Sequence, residues 1–279
     1  MGLAGFFTIT RPANAIVAGL AAAVAYLIAT GTLVYGVVLL MAVVILVTAA
    51  GNVINDYFDA DIDAVNRPKR PIPAGAVRRQ QALAYAGTLF FLGLVVSWFT
   101  TPLCLGIALF NALLLVAYAY RLKSTPFFGN VAVSYLAASI FLFGGAFAGW
   151  ERLVVMLPIA AITFLAMLAR ELLKDAEDIE GDKAGGADTL PIRIGVPKTA
   201  VLAFACAIAA VVASVLPYRW WGCWYLFGIL LVDIIILAAA GKALGCKDPE
   251  SLTASGSTTL LKLGMFASLV VFTVSAVLL

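Results

Sequence analysis

Two stretches of this chain carry acidic side chains at spacings that a helix would gather on one face. GNVINDYFDADIDAVNRPKRPIPAG, Gly51 to Gly75, places Asn52, Asp56, Asp59 and Asp63 at intervals of 4, 3 and 4. At about 100° per residue these four fall within an arc of roughly 60°, stacked over about three turns. ARELLKDAEDIEGDKAGG repeats the pattern with Glu171, Asp175, Asp178 and Asp182, each 119 positions after its counterpart. Like charges three and four apart repel on a helix, so such a face makes sense when a cation occupies it. Oxygen ligands of this kind suit a hard divalent ion. The bland alternative is a pair of solvated helix ends just outside a membrane, but the shared register argues instead for duplication, with both halves offering carboxylates to a shared site.

The acids outnumber what one Mg²⁺ requires, since that ion keeps several waters and takes one or two carboxylates together with phosphate oxygens. Several ions bridging one polyanion fit better. Cations stand close in sequence: Arg67, Lys69 and Arg70 after the first stretch, Lys123 further on, Lys174 and Lys183 around the second. Arginine forks and lysine point charges suit phosphate oxygens. Because the neighbouring sequence is hydrocarbon, the expected ligand has a diphosphate head and a long apolar tail, which describes a polyprenyl diphosphate. Loss of its diphosphate would be helped by metal and basic groups. The allylic cation left behind calls for a dry, aromatic-lined cavity, and Tyr57, Phe58, Tyr118, Tyr120, Phe141, Phe143, Phe147 and Phe164 are candidates.

The elements that position these groups are membrane spans. Of 279 residues 63% are apolar and 12% charged, too greasy for a soluble domain of this length. Nine runs long enough to cross the bilayer are expected near 13–30, 33–55, 81–99, 102–120, 131–149, 153–173, 199–216, 222–240 and 259–279. No secretory signal is evident in Met1 to Thr10. Except for Arg152 and Arg219, every lysine and arginine falls on one set of connections, so the positive-inside rule predicts a cytoplasmic N-terminus, an outer C-terminus and both acidic stretches facing the cytoplasm. The long loops 58–80, 174–198 and 241–258 share that side. The repeat is expected to be parallel, unlike the inverted repeats common in transporters. Four cysteines without CxxC spacing read as packing residues, and the absence of histidine leaves proton transfer to carboxylates, Tyr, Lys or water.

Arg11 and Asn14 are candidates for the polar site, Arg11 otherwise serving as an orientation anchor. Asp61 is out of phase with the acidic face and reads as solvated. Asp233, within the eighth span, is either functional or a buried hydrogen-bonding group, and Asn111 reads as an interhelical hydrogen bond. Arg170 and Glu171 either pair together or join the site.

On these residues the chain resembles the UbiA superfamily of intramembrane prenyltransferases over nearly its whole length. Asn55-Asp56-x-x-Asp59-x-x-x-Asp63 is similar to that family's first acidic motif, Asp175-x-x-Asp178-x-x-x-Asp182 to its second, and Arg11-Pro12-x-Asn14 to its N-terminal pattern. The resemblance implies an all-α polytopic membrane fold, residues 1–279 forming one domain of nine helices around a central cavity. It implies catalytic roles for Asp56, Asp59, Asp63, Asp175, Asp178 and Asp182, with Asn52 joining them as ligands of Mg²⁺. Substrate contacts are expected from Arg11, Asn14, Asn52, Asn55, Arg67, Lys69, Arg70, Tyr120, Lys123, Glu171 and Lys174, with contact to anionic lipid headgroups the alternative for Arg67, Lys69 and Arg70. The family's Tyr-x-x-x-Lys pattern is matched imperfectly, since Tyr118 and Tyr120 precede Lys123 by five and three positions. Within the superfamily the two motifs look most like the archaeal branch that joins geranylgeranyl diphosphate to the hydroxyl of geranylgeranylglyceryl phosphate, although chlorophyll-type enzymes share much of the first. The expected partners are a polyprenyl diphosphate, a lipid acceptor and the bilayer, with no nucleic acid. Aromatic or tetrapyrrole acceptors, and transport of a cation or phosphate ester, are the competing readings.

Overall fold

Inside a bilayer every backbone N–H and C=O must pair within the chain, so an apolar sequence of this length resolves into helices. The computed structural model describes residues 3–278, and all of its regular elements are helices. Among the described residues nine segments are long and apolar enough to cross a membrane. The expected spans are all present, with shifted ends. The second runs Val37–Phe58 rather than 33–55 and the sixth Trp150–Glu177 rather than 153–173, while the seventh, Leu190–Ser214, is broken at Gly195 (φ +81°), so that its unbroken part starts close to the expected 199. Hydropathy marks where apolar side chains stop, whereas a helical backbone continues as long as its hydrogen bonds are made. The ninth span was expected to reach 279, and Leu279 lies outside the described residues, as do Met1 and Gly2 of the N-terminal stretch.

The chain forms two compact units, one taking the chain up to Tyr26 and Leu33–Leu122, the other Leu27–Thr32 and the chain from Lys123 on. The first contains α1 (Leu3–Ile9), most of α2 (Pro12–Thr30), α3 (Val37–Phe58), α4 (Ala60–Asn66), α5 (Arg79–Trp98) and α6 (Pro102–Tyr120). Helix α3 packs on α5, α6 and α1, burying Ala50, Val53 and Ile54 against Ala82, Ala86 and Ala119. Small residues set the spacing: a Cβ at Gly93 would come within 3.0 Å of Val47 Cγ2. At the start of α6, Pro102 follows Thr101, whose hydroxyl caps the helix by accepting from the Cys104 N–H at 3.2 Å.

The second unit contains a short 3₁₀ turn at Leu122–Ser124, mostly within it, then α7 (Phe128–Ala148), α8 (Trp150–Glu177), α9 (Ile179–Ala184), α10 (Leu190–Ser214), α11 (Tyr218–Ala243), α12 (Pro249–Ser255) and α13 (Ser257–Leu278). Helix α8 is its axis, in contact with α7, α10, α11, α12 and α13. Gly145 lets α7 approach closely, because a Cβ there would meet the Leu153 Cα at 2.9 Å. Asp233 on α11 is buried and accepts a 2.6 Å hydrogen bond from Ser214 Oγ on α10, while Tyr225 Oη donates to the Ser214 carbonyl at 2.6 Å. That places Asp233 in a structural hydrogen-bond knot.

The three long connections hold short helices, α4, α9 and α12, rather than loop alone. Among the described residues no cysteine is in a disulfide; Cys104 and Cys246 are buried as packing residues, but Cys223 is exposed.

Candidate active site

The expected continuous acidic helix is interrupted in both copies, and at the same register. Helix α3 ends at Phe58 and α4 begins at Ala60, with Asp59 between them at φ −83° and ψ 0°. Helix α8 ends at Glu177 and α9 begins at Ile179, with Asp178 between them at φ −98° and ψ 13°. The i→i−4 bonding survives the break: Asp63 N–H reaches the Asp59 carbonyl at 2.8 Å, and Asp182 N–H the Asp178 carbonyl at 2.9 Å. Each acidic face therefore bends without being dispersed.

In the first unit the buried carboxylates are already answered by arginine. Asp56 accepts from Arg11 Nη2 at 2.5 Å and from Arg70 Nη1 at 3.0 Å, and the same Arg70 nitrogen reaches Asp63 at 2.6 Å. Arg11 sits at φ +49°, a left-handed conformation that costs a non-glycine residue energy and persists where its surroundings impose it. The side chain that this residue carries is held by the ion pair with Asp56. Asn52 Nδ2 donates to the Thr10 carbonyl at 2.9 Å, tying α3 to the turn that carries Arg11, and Asn55 Nδ2 donates to Asp59 at 2.8 Å. Asp61 is exposed and pairs with Arg79 at 3.0 Å, outside the acidic face as its phase predicts. Phe58 and Tyr120 lie in ring contact at 5.4 Å. Asn14, Arg67 and Lys69 are exposed, so Arg70 is the cation from this loop that the structure brings onto the acids.

In the second unit the partners are neutral. Asn130, buried on α7, donates to Asp175 at 2.7 Å, and Thr189 Oγ1, just before α10, donates to Asp182 at 3.0 Å. Glu171 is held by its neighbour Arg170 at 2.5 Å, so these two pair together. Glu177 accepts from Thr258 on α13 at 2.9 Å. Lys174 and Asp178 are exposed, and Lys123 lies half-buried on the 3₁₀ turn. Sequence reasoning missed Asn130 and Thr189 because neither is charged. The signal was present nonetheless: they follow Arg11 and Arg70 by the same 119 positions that relate the acids.

The donors of this second set are oxygens throughout, which fits Mg²⁺. Among the described residues no three such acids are gathered closely enough to cage an ion unaided, in keeping with an ion that completes its shell from water and phosphate. Burial, and then the neighbouring Asp178 charge, push the Asp182 carboxyl above its ordinary value of 3.8 despite the Thr189 hydrogen bond and Lys174. A carboxyl shifted upward on folding favours the folded state below its unfolded value, and that contribution is lost as pH rises through the folded value. In metal-free protein at neutral pH, Asp182→Asn is therefore expected to raise the thermal midpoint slightly, by at most about 2–4 °C. The difference should close as pH falls toward 3.8, and thermal unfolding in EDTA across that range measures it. A variant less stable than the parent at neutral pH would contradict this account of Asp182.

Several known proteins are similar to this chain in sequence or in fold. The chain is 77% identical to a digeranylgeranylglyceryl phosphate synthase from Methanoregula boonei, the two covering one another completely. It is 41% identical to the corresponding Thermococcus kodakarensis enzyme over 99% of both chains. A solved structure described as bearing on digeranylgeranylglyceryl phosphate synthase in membranes superposes with a TM-score of 0.91 at 36% identity, over 99% of each chain. A UbiA homologue from Archaeoglobus fulgidus bound to GPP and Mg²⁺ shares the fold, with a TM-score of 0.70 at 17% identity, over 96% of this chain and 99% of that one. Since residues 15–272 also match the UbiA prenyltransferase family, this chain, a multi-pass all-α membrane protein with its acids at the ends of α3 and α8, belongs to that family.

Proposed function

We propose that the protein transfers a geranylgeranyl group from geranylgeranyl diphosphate to the free hydroxyl of geranylgeranylglyceryl phosphate, forming the second ether bond of archaeal membrane lipids. The observation that carries this reading is the likeness, over its full length, to relatives named for that activity. The acidic sets support the reaction class. Asn52, Asp56, Asp59, Asp63, Asp175, Asp178 and Asp182 are assigned to Mg²⁺, and residues 1–279 are taken as one prenyltransferase domain. When bound, the metal withdraws charge from the departing diphosphate.

The chain's own residues do the rest. Arg11 and Arg70, with Arg67, Lys69, Lys123 and Lys174, supply donors for phosphate oxygens; Asn14, Asn55 and Glu171 are assigned to orienting the head group. The bond from the allylic carbon to the diphosphate oxygen breaks, and diphosphate leaves with the electron pair. The acceptor hydroxyl oxygen then bonds that carbon and releases its proton. Ring faces such as those of Phe58 and Tyr120 shelter positive charge during this exchange. An alcohol suffices as nucleophile toward an allylic cation, which agrees with a chain that has no histidine. The acids are assigned to the cytoplasmic side, with the N-terminus inside and the C-terminus outside, on the distribution of basic residues.

Incubating the purified protein with labelled geranylgeranyl diphosphate and a panel of acceptors tests this. Label is expected in the digeranylgeranyl ether lipid when geranylgeranylglyceryl phosphate is present. Label moving instead to a quinone, tocopherol or tetrapyrrole precursor would overturn the acceptor assignment, and uptake into proteoliposomes without conversion would overturn the enzymatic one.

A further inference from the structure

The 119-residue register relates the partners of the acids as well as the acids, and there the two copies differ in charge. Arg11 and Asn130 are counterparts, as are Asp56 and Asp175; Arg11 donates to Asp56 at 2.5 Å, and Asn130 donates to Asp175 at 2.7 Å. Arg70 and Thr189 are counterparts, as are Asp63 and Asp182; Arg70 donates to Asp63 at 2.6 Å, and Thr189 donates to Asp182 at 3.0 Å. The hydrogen-bond scaffold is conserved between the copies while each guanidinium of the first becomes a neutral donor in the second. Asn130 and Thr189 are themselves buried, 5% and 3% exposed, so their positions admit no solvent cation in place of the missing arginines. The Glu171 charge is met by Arg170 beside it. Lys174 is exposed, so its charge, though it bears on these acids, is weakened by water and salt.

Two carboxylates held by two guanidiniums have little net charge left for a cation, whereas two carboxylates held by an amide and a hydroxyl keep theirs. We propose that Asn130 and Thr189 are positioning residues that orient Asp175 and Asp182 without neutralising them, making the second copy the seat that takes a divalent cation before any diphosphate arrives, with water completing the ion's shell. The first copy, neutralised by Arg11 and Arg70, takes none until an anion engages those arginines. This rests on the assignment of the acids to Mg²⁺ made above.

The test uses Mn²⁺ alone, without diphosphate, titrated into the full chain in detergent micelles, with free Mn²⁺ read by electron paramagnetic resonance. Parent protein is expected to bind Mn²⁺, Asp175→Asn to lose that binding and Asp56→Asn to keep it. Asn130→Arg should weaken binding at least about tenfold, because a buried positive charge then faces the ion. The reciprocal double variant Arg11→Asn with Arg70→Thr, which gives the first copy the donors of the second, should gain a bound ion. A role confined to packing would not produce that gain. The proposal is overturned if the parent binds no Mn²⁺, if Asp56→Asn loses as much binding as Asp175→Asn, or if Asn130→Arg binds normally. Should Asn130→Arg fail to fold by circular dichroism, the Asp56 and Asp175 contrast and the ion count of the double variant decide. Failure of prenyl transfer would leave these readings intact, so this asymmetry and the proposed reaction can fail separately.

Discussion

Replacing Asp175 by Ala is expected to lower prenyl transfer by about 10²–10³-fold or more, the range seen when one electrostatic contact to a developing charge is removed. Asp175 lies three residues before the bend at Asp178 and is oriented by Asn130 at 2.7 Å, so the substitution deletes an oriented oxygen ligand while leaving the packing of α8 on α7 and α10 in place. Asp56→Ala should lose activity comparably, for a different reason: it releases Arg11 and Arg70 from a shared partner and disorders donors assigned to the diphosphate. Steady-state transfer of labelled prenyl groups, with circular dichroism to verify the fold, measures both. Retained turnover in either folded variant would remove the acids from the mechanism.

Arg70→Ala should be strongly destabilising. One guanidinium nitrogen bridges Asp56 and Asp63, whose side chains are 4% and 7% exposed. Removing it strands Asp63 in a buried site, and breaking a buried pair in this way typically costs about 3–5 kcal/mol. The partial exposure of Arg70, 18%, places the expectation at the lower end. Neutralising the stranded acid should recover part of the loss, so Arg70→Ala combined with Asp63→Asn is expected to be more stable than Arg70→Ala alone. Thermal unfolding of the detergent-solubilised variants checks this, and an Arg70→Ala protein as stable as the parent would show that water reaches Asp63 freely.

The acids themselves were legible in the chain because helical periodicity and a constant offset are properties of spacing. Membrane spans were legible because a lipid solvent imposes long apolar runs, and their ends were not, because α8 continues through Arg170, Glu171, Lys174 and Asp175 once backbone bonding has been established. The bends at Asp59 and Asp178 carry no glycine or proline to announce them. They are changes of ψ to about 0° at ordinary residues, visible in sequence only as the shared register. Arg70 was distinguishable from Arg67 and Lys69 only by geometry, since all three follow the same motif and the turns after α4 decide which one folds back. Asn130 and Thr189 escaped a search for charge, yet the offset locating Asp175 and Asp182 also locates them.

The Asp233 knot bears on how the chain enters the bilayer in the first place. A lone carboxylate near the centre of an inserting helix adds roughly 2.5–3.5 kcal/mol on translocon scales, a burden on α11 if it is released into lipid singly. Ser214, the last residue of α10, donates to that carboxylate at 2.6 Å, so a hairpin of α10 and α11 carries its own solvation for Asp233. The insertion machinery therefore handles these two helices at lower cost as a pair than one after the other.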